Sequence, residues 1–81
     1  MTVFFSRHAK RRMKLYRLAE KDVVDAILRS EASGGRSGAT RNLIDFKMDA
    51  KYGYPLKIVY VRERARVVVI TAYPVKKGKR R

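Results

Sequence analysis

The spacing of apolar residues changes once along this chain, dividing it into a helical half and a strand half. Val3, Phe4 and Phe5 form a short apolar run read as an opening strand. Ser6 stands next, where its hydroxyl can accept from a free backbone N–H of a following helix. That helix should run to about Tyr16 or Arg17, with Ala9, Met13 and Tyr16 on one side and Lys10, Arg11, Lys14 and Arg17 crowding another. A second helix is expected from near Ala19. Leu18 and Val23 occupy the two positions of a hydrophobic staple, and Glu20 and Asp22 favour the positive end of the helix dipole. Val23 with Ile27, and Val24 with Leu28, give apolar rows one turn apart. Ala19 offers no capping side chain, so the junction between the helices is weakly marked.

Residues 33–38, Ser-Gly-Gly-Arg-Ser-Gly, read as a loop, and beyond it the period drops to two. Ile44, Phe46 and Met48 alternate with Asp45 and Lys47, as in a half-buried strand, and Tyr52 to Pro55 is turn material. Leu56 to Arg62 and Arg66 to Tyr73 read as two β-branched strands around a tight charged turn. A two-residue turn at Arg64-Ala65 would pair Arg62 with Val67 and Leu56 with Tyr73. Val59, Val61, Val68, Ile70 and Ala72 then share one face and are expected beneath the helices. Tyr60, Arg62, Val69, Thr71 and Tyr73 share the other, which would be an open platform of rings for stacking and guanidinium for phosphate.

The element order predicts an α+β fold: strand, helix, helix, then a three-stranded antiparallel meander, with the two helices packed on one face of the sheet. With 81 residues there is room for one core, so residues 1–75 are read as a single domain and 76–81 as a basic disordered tail.

Charge changes the picture more than composition does. Lys and Arg number 21 against 7 acidic residues, a formal net charge of +14. Self-repulsion of that size destabilises a compact state, and it draws the molecule toward a polyanion. From Arg7 to Arg17, six of eleven side chains are cationic, one is the only histidine and none is acidic. Such a helix makes sense when its apolar side docks on a core and nucleic acid or an acidic protein screens the rest. No apolar run is long enough to cross a bilayer, and the N-terminal apolar patch is too short for a signal-peptide core. A cytoplasmic protein without membrane contact is therefore expected. Cysteine is absent, and one histidine among scattered carboxylates leads us to expect neither a metal nor any other cofactor.

His8-Ala9-Lys10-Arg11-Arg12-Met13, with Leu18, the Glu20/Asp22/Val23 helix start and the segment Thr71-Ala72-Tyr73-Pro74, resembles a family of small bacterial proteins. Their opening helix carries His-Ala-x-x-Arg-Met, and the element order is similar to the RelE/ParE-like toxin superfamily. The chain departs from that pattern at Tyr16-Arg17, where the family has an Arg-Gly pair, so Arg17 is not credited with the family's Arg role. The resemblance implies an RNA-binding, toxin-like protein of a toxin–antitoxin system, acting as a metal-independent mRNA endoribonuclease, on or off the ribosome, with an acidic antitoxin as partner.

Under that reading His8 is general base or acid, Arg12 and Arg62 stabilise the phosphorane, and Tyr73 stacks on a base or donates a proton. Lys10, Arg11, Lys14 and Arg17, together with Lys76, Lys77, Lys79, Arg80 and Arg81, would hold the nucleic acid. Two other readings stay open at this point: a non-catalytic nucleic-acid-binding module using the same surface, and a ParE-like toxin acting on a protein target. Structurally bland roles also remain, with His8 helping to cap the first turn and Arg12 solvating a helix side.

Overall fold

Ser6 ends the opening strand and starts the first helix in the computed structural model, which describes residues 2–32 and 40–75. Strand β1 (Thr2–Phe5) leads through it into helix α1 (Arg7–Tyr16), and its Oγ accepts from the Ala9 N–H at 3.0 Å. α1 then closes on a residue in the left-handed conformation, Arg17, with φ 57° and ψ 44°. The Leu18 N–H reaches the Met13 carbonyl at 2.8 Å and the Arg17 N–H reaches the Lys14 carbonyl at 3.3 Å. These are the two bonds of a Schellman motif, whose left-handed position is usually glycine. The apolar pair that accompanies the motif is present as Met13 and Leu18, both buried in the core. An arginine thus makes the turn for which the sequence shows no glycine.

Helix α2 (Glu20–Glu31) has Ala19 at its N-cap, with no side-chain cap. The deficit is met from a distance. The Tyr52 hydroxyl accepts from the Ala19 N–H at 3.1 Å and donates to the carboxylate of Asp22, three residues into the helix. A capping box joins these two positions directly; here a tyrosine relays the bond. Lys51 Nζ adds an ion pair to Asp22 at 2.6 Å.

Strand β2 (Thr40–Asp45) stops short of the predicted alternation. The Asp45 side chain accepts from the Lys47 N–H at 2.9 Å, an Asx-type bond that competes with the sheet ladder. It turns the chain into a 3-10 turn, Phe46–Met48, followed by helix α3 (Asp49–Tyr52). Met48 is buried and Phe46 exposed, so the apolar alternation belongs to a turn and not to a strand. Gly53, at φ 85°, ends α3. The uninterrupted strand-helix-helix-meander order is corrected to this extent: a third helix lies inside the meander.

Strands β3 (Leu56–Arg62) and β4 (Arg66–Pro74) come next, and the sheet order is β1-β4-β3-β2. β2, β3 and β4 pair antiparallel as expected, whereas β1 joins β4 in parallel, Thr2 opposite Arg66 through Phe5 opposite Val69. The sheet is therefore mixed. Parallel neighbours need a long crossover, and everything from α1 to β3 supplies it.

The hairpin register begins as predicted, with Arg62 opposite Val67, but Leu56 faces Pro74, not Tyr73. A β-bulge intervenes: Tyr60 pairs with Val69 and Val59 with Thr71, leaving Ile70 as the extra residue. Independently of the bulge, the expected faces are largely inverted. Leu56, Ile58, Tyr60, Val67, Val69 and Ala72 are fully buried under the helices with Ala9, Met13, Val23 and Ile27. Val59, Val61 and Val68 are only half-buried on the open face, and Ile70 is exposed. Of the set expected beneath the helices, only Ala72 is there. Leu56, Ile58, Val67 and Val69 make the face of Tyr60 and Arg62 as rich in apolar residues as the face of Val59, Val61, Val68 and Ile70, so alternation cannot choose between them. Tyr60 turns inward because its hydroxyl finds Glu31 at the end of α2, at 2.6 Å, which satisfies the polar tip of a buried ring.

Candidate nucleic-acid interface

Positive charge is unevenly neutralised across this fold. Among the described residues, five ion pairs use Arg29 with Asp45, Arg41 and Arg62 with Glu31, Lys51 with Asp22, and Arg66 with Glu63. All of these lie on α2, α3, the sheet or its turns. None involves a cation between Arg7 and Arg17. Lys10, Arg11, Lys14 and Arg17 are exposed, and the first turn of α1 holds no acidic residue. The apolar stripe of Ala9 and Met13 fixes which way α1 faces, so these cations project together from one side of the molecule.

Where α1 begins, the sheet supplies a corner. Pairing between β1 and β4 ends at Phe5 and Val69, so the last residues of β4 have no strand neighbour on that side. Ser6 fills the gap. Its N–H donates to the Val69 carbonyl at 3.0 Å, and its Oγ donates to the Ile70 carbonyl at 2.9 Å. One residue therefore caps the helix and grips the bulged strand. The bulge also sets the facing of the last residues of β4: Ala72 turns inward and Tyr73, opposite Lys57, does not. The Arg12 guanidinium lies 5.5 Å from the centre of the Tyr73 ring, within cation–π range. His8 is exposed one helical turn before Arg12, on the same stripe.

The structure thus brings His8, Arg12 and Tyr73 to one corner beside the α1 cations. It does not bring Arg62 there. Arg62 sits at the opposite end of the β3–β4 hairpin, opposite Val67. Tyr73 lies six positions beyond Val67 along β4, roughly 20 Å at the rise of a strand. Its Nε is 3.6 Å from Glu31 Oε1, while Arg41 Nε is 3.3 Å from Glu31 Oε2. Glu31 occupies the C-terminal turn of α2, where the helix dipole disfavours an acid; two guanidiniums and the Tyr60 hydroxyl compensate it there. Burial, with the bond to Glu31 adding to it, holds the Tyr60 phenol above its ordinary pKa, so it remains a donor at neutral pH. Lys76, Lys77, Lys79, Arg80 and Arg81 lie outside the described residues.

Sequence reasoning missed the grip of Ser6 on Ile70, because a bulge leaves no local residue signature here. It also missed Phe4. The Phe4-Phe5 pair carried the signal, since adjacent strand residues point to opposite faces and one of two phenylalanines must be outside. Phe5 packs against the core while Phe4 is 48% exposed, with the Arg66 guanidinium 5.6 Å from its ring centre.

Among the described residues, no helix is long and apolar enough to cross a membrane. Comparison with protein-family models, curated proteins and solved structures finds no match for this chain.

Proposed function

We propose that this chain is a toxin-like RNA-binding protein, of RelE-like build, whose α1 face and adjoining β4 corner hold single-stranded RNA. The observation that carries the proposal is the division of charge: Asp22, Glu31, Asp45 and Glu63 are paired with cations of α2, α3, the sheet and its turn, while the cations of Arg7–Arg17 have no ionic partner within the described fold. Held in a fixed array, they meet a phosphate backbone with little further ordering, and the counterions they displace drive binding. An acidic antitoxin segment would be recognised by the same array.

The chemistry proposed at the corner is metal-independent cleavage of RNA. The 2′-hydroxyl attacks the adjacent phosphorus, the bond to the 5′-oxygen breaks, and a 2′,3′-cyclic phosphate and a 5′-hydroxyl result. His8 takes the 2′ proton, Arg12 offsets charge on the phosphorane, and Tyr73 either stacks on the neighbouring base or returns a proton to the leaving oxygen. Arg62 is reassigned to the Glu31 cluster, where it supports the end of α2. Its withdrawal leaves the corner with one guanidinium fewer, and that observation favours the second reading, a module that binds RNA without cutting it.

Two measurements separate these readings. RNA affinity should fall by roughly three-hundredfold or more between 50 and 200 mM salt if six or more phosphates of a single strand are contacted; a flat response refutes the interface. His8→Ala and Arg12→Ala should each lower cleavage by roughly a hundredfold while binding falls modestly, with EDTA having no effect. RNA left intact by the wild-type protein, with and without ribosomes, refutes catalysis and leaves the binding module.

A further inference from the structure

We propose that the hollow beside the β3–β4 turn is a second nucleobase subsite, taking an unpaired base against Phe4 with its phosphates served by Arg64 and Arg66. The inference rests on the RNA-binding reading and extends it to the sheet face turned away from the helices. The hollow, of about 500 Å³, is lined by Thr2, Phe4, Glu63, Arg64, Ala65 and Arg66, a size within the range of small-ligand pockets.

Its walls are held in place. The Thr2 N–H bonds the Ala65 carbonyl at 3.2 Å, tying β1 to the turn, and the Glu63 N–H bonds the Arg66 carbonyl at 2.8 Å, closing the hairpin. Arg66 Nε donates to Glu63, so its guanidinium is kept near the Phe4 ring. Arg64 is exposed and, among the described residues, forms no ion pair. The hollow therefore combines an aromatic face, two guanidiniums and one carboxylate acceptor, with a net positive charge. A bare phosphate would make no use of the ring, and an apolar ligand would make no use of the arginines. A nucleobase with its phosphate uses both, by stacking and charge. β1 is the edge strand of the sheet, so a strand of RNA leaving α1 has one edge to pass before reaching Phe4.

The test measures fluorescence anisotropy with a labelled 12-nucleotide adenosine–cytidine RNA and with an abasic ribose-phosphate oligomer of the same length. The full chain is used with Phe4→Ala, Phe4→Leu and Phe4→Tyr, each checked by thermal melting. Removing the ring in Phe4→Ala or Phe4→Leu should weaken binding of the RNA by about tenfold. The abasic oligomer should bind as before, the salt slope should stay unchanged, and Phe4→Tyr should restore affinity. A folded Phe4→Leu protein that binds the RNA as tightly as wild type overturns the subsite, as does an equal loss on the abasic oligomer, while the α1 interface stands. A wild-type protein that binds neither probe overturns both proposals together.

Discussion

Arg17→Gly should make this protein more stable and a weaker RNA binder, and the two effects arise from one residue for separate reasons. Arg17 is the only non-glycine residue at positive φ among those described. A left-handed conformation costs an L residue about 1–2 kcal/mol, because its Cβ approaches the following carbonyl. Glycine escapes that cost but gives back roughly 0.5–1 kcal/mol through its freer unfolded chain. The net gain is about 0.5–1 kcal/mol, which for a domain of this size raises Tm by roughly 2–8 °C. Both hydrogen bonds of the motif run from backbone N–H groups, so the substitution keeps them. Arg17→Ala is the control: it removes the same charge but keeps the Cβ, so its Tm should stay within about 2 °C of wild type. Thermal melts followed by circular dichroism supply the first readout. The second is the salt dependence of RNA binding, where losing one phosphate contact should reduce the slope by about 0.7 on single strands. Equal Tm values for Arg17→Gly and Arg17→Ala would refute the strain argument. An unchanged slope in both would remove Arg17 from the interface. If both hold, the arginine is retained at a glycine position at the expense of fold stability, as strained residues at functional sites commonly are.

Tyr52→Phe should cost about 1–2 kcal/mol in urea unfolding, since one lost hydroxyl leaves the Ala19 N–H without its partner and Asp22 with Lys51 alone; a cost near zero would mean water caps α2 equally well. Ser6→Ala should cost a similar ~1–2 kcal/mol through the lost N-cap and the lost grip on Ile70, and it should weaken RNA binding by loosening α1 against β4. Lys51, followed by the Tyr52 hydroxyl, holds the Asp22 carboxyl below its ordinary 3.8. The folded state therefore binds that proton less readily than the unfolded chain, and the stabilisation is complete above about pH 5 and lost as pH falls through 3.8 and below. The Tm gap between wild type and Asp22→Asn should narrow over that acid range; a gap independent of pH would refute the pairing. Tyr52 and Tyr60 are raised above 10.0, chiefly by burial, so stability should fall as pH climbs past 10, where unfolded tyrosines ionise first, and Tyr60→Phe should flatten part of that alkaline loss.

Local sequence determined the parts whose cause is local. Ser6 before a helical pattern is an N-cap wherever the chain goes, and the Ala9/Met13 stripe orients α1 with its cations outward, which makes the charge array readable without coordinates. The staple at Leu18 and Val23 and the Arg62–Val67 register at a two-residue turn are likewise short-range. The tertiary structure decided everything that depends on which of two equivalent choices is stabilised from a distance. Both faces of the β3–β4 hairpin carry enough apolar residues to be buried, and the buried one was chosen by the Glu31 partner that Tyr60 finds on α2, while a bulge at Ile70 reverses the facing of Tyr73. The capping of α2 came from Tyr52, some thirty residues onward, and the parallel pairing of β1 with β4 required the whole chain between them. Arg62 illustrates the limit: nothing in its neighbourhood along the sequence reveals that a carboxylate at the far end of a helix will claim it. Alternation and capping are properties of neighbours, whereas partner choice for a buried polar group is a property of the packed whole.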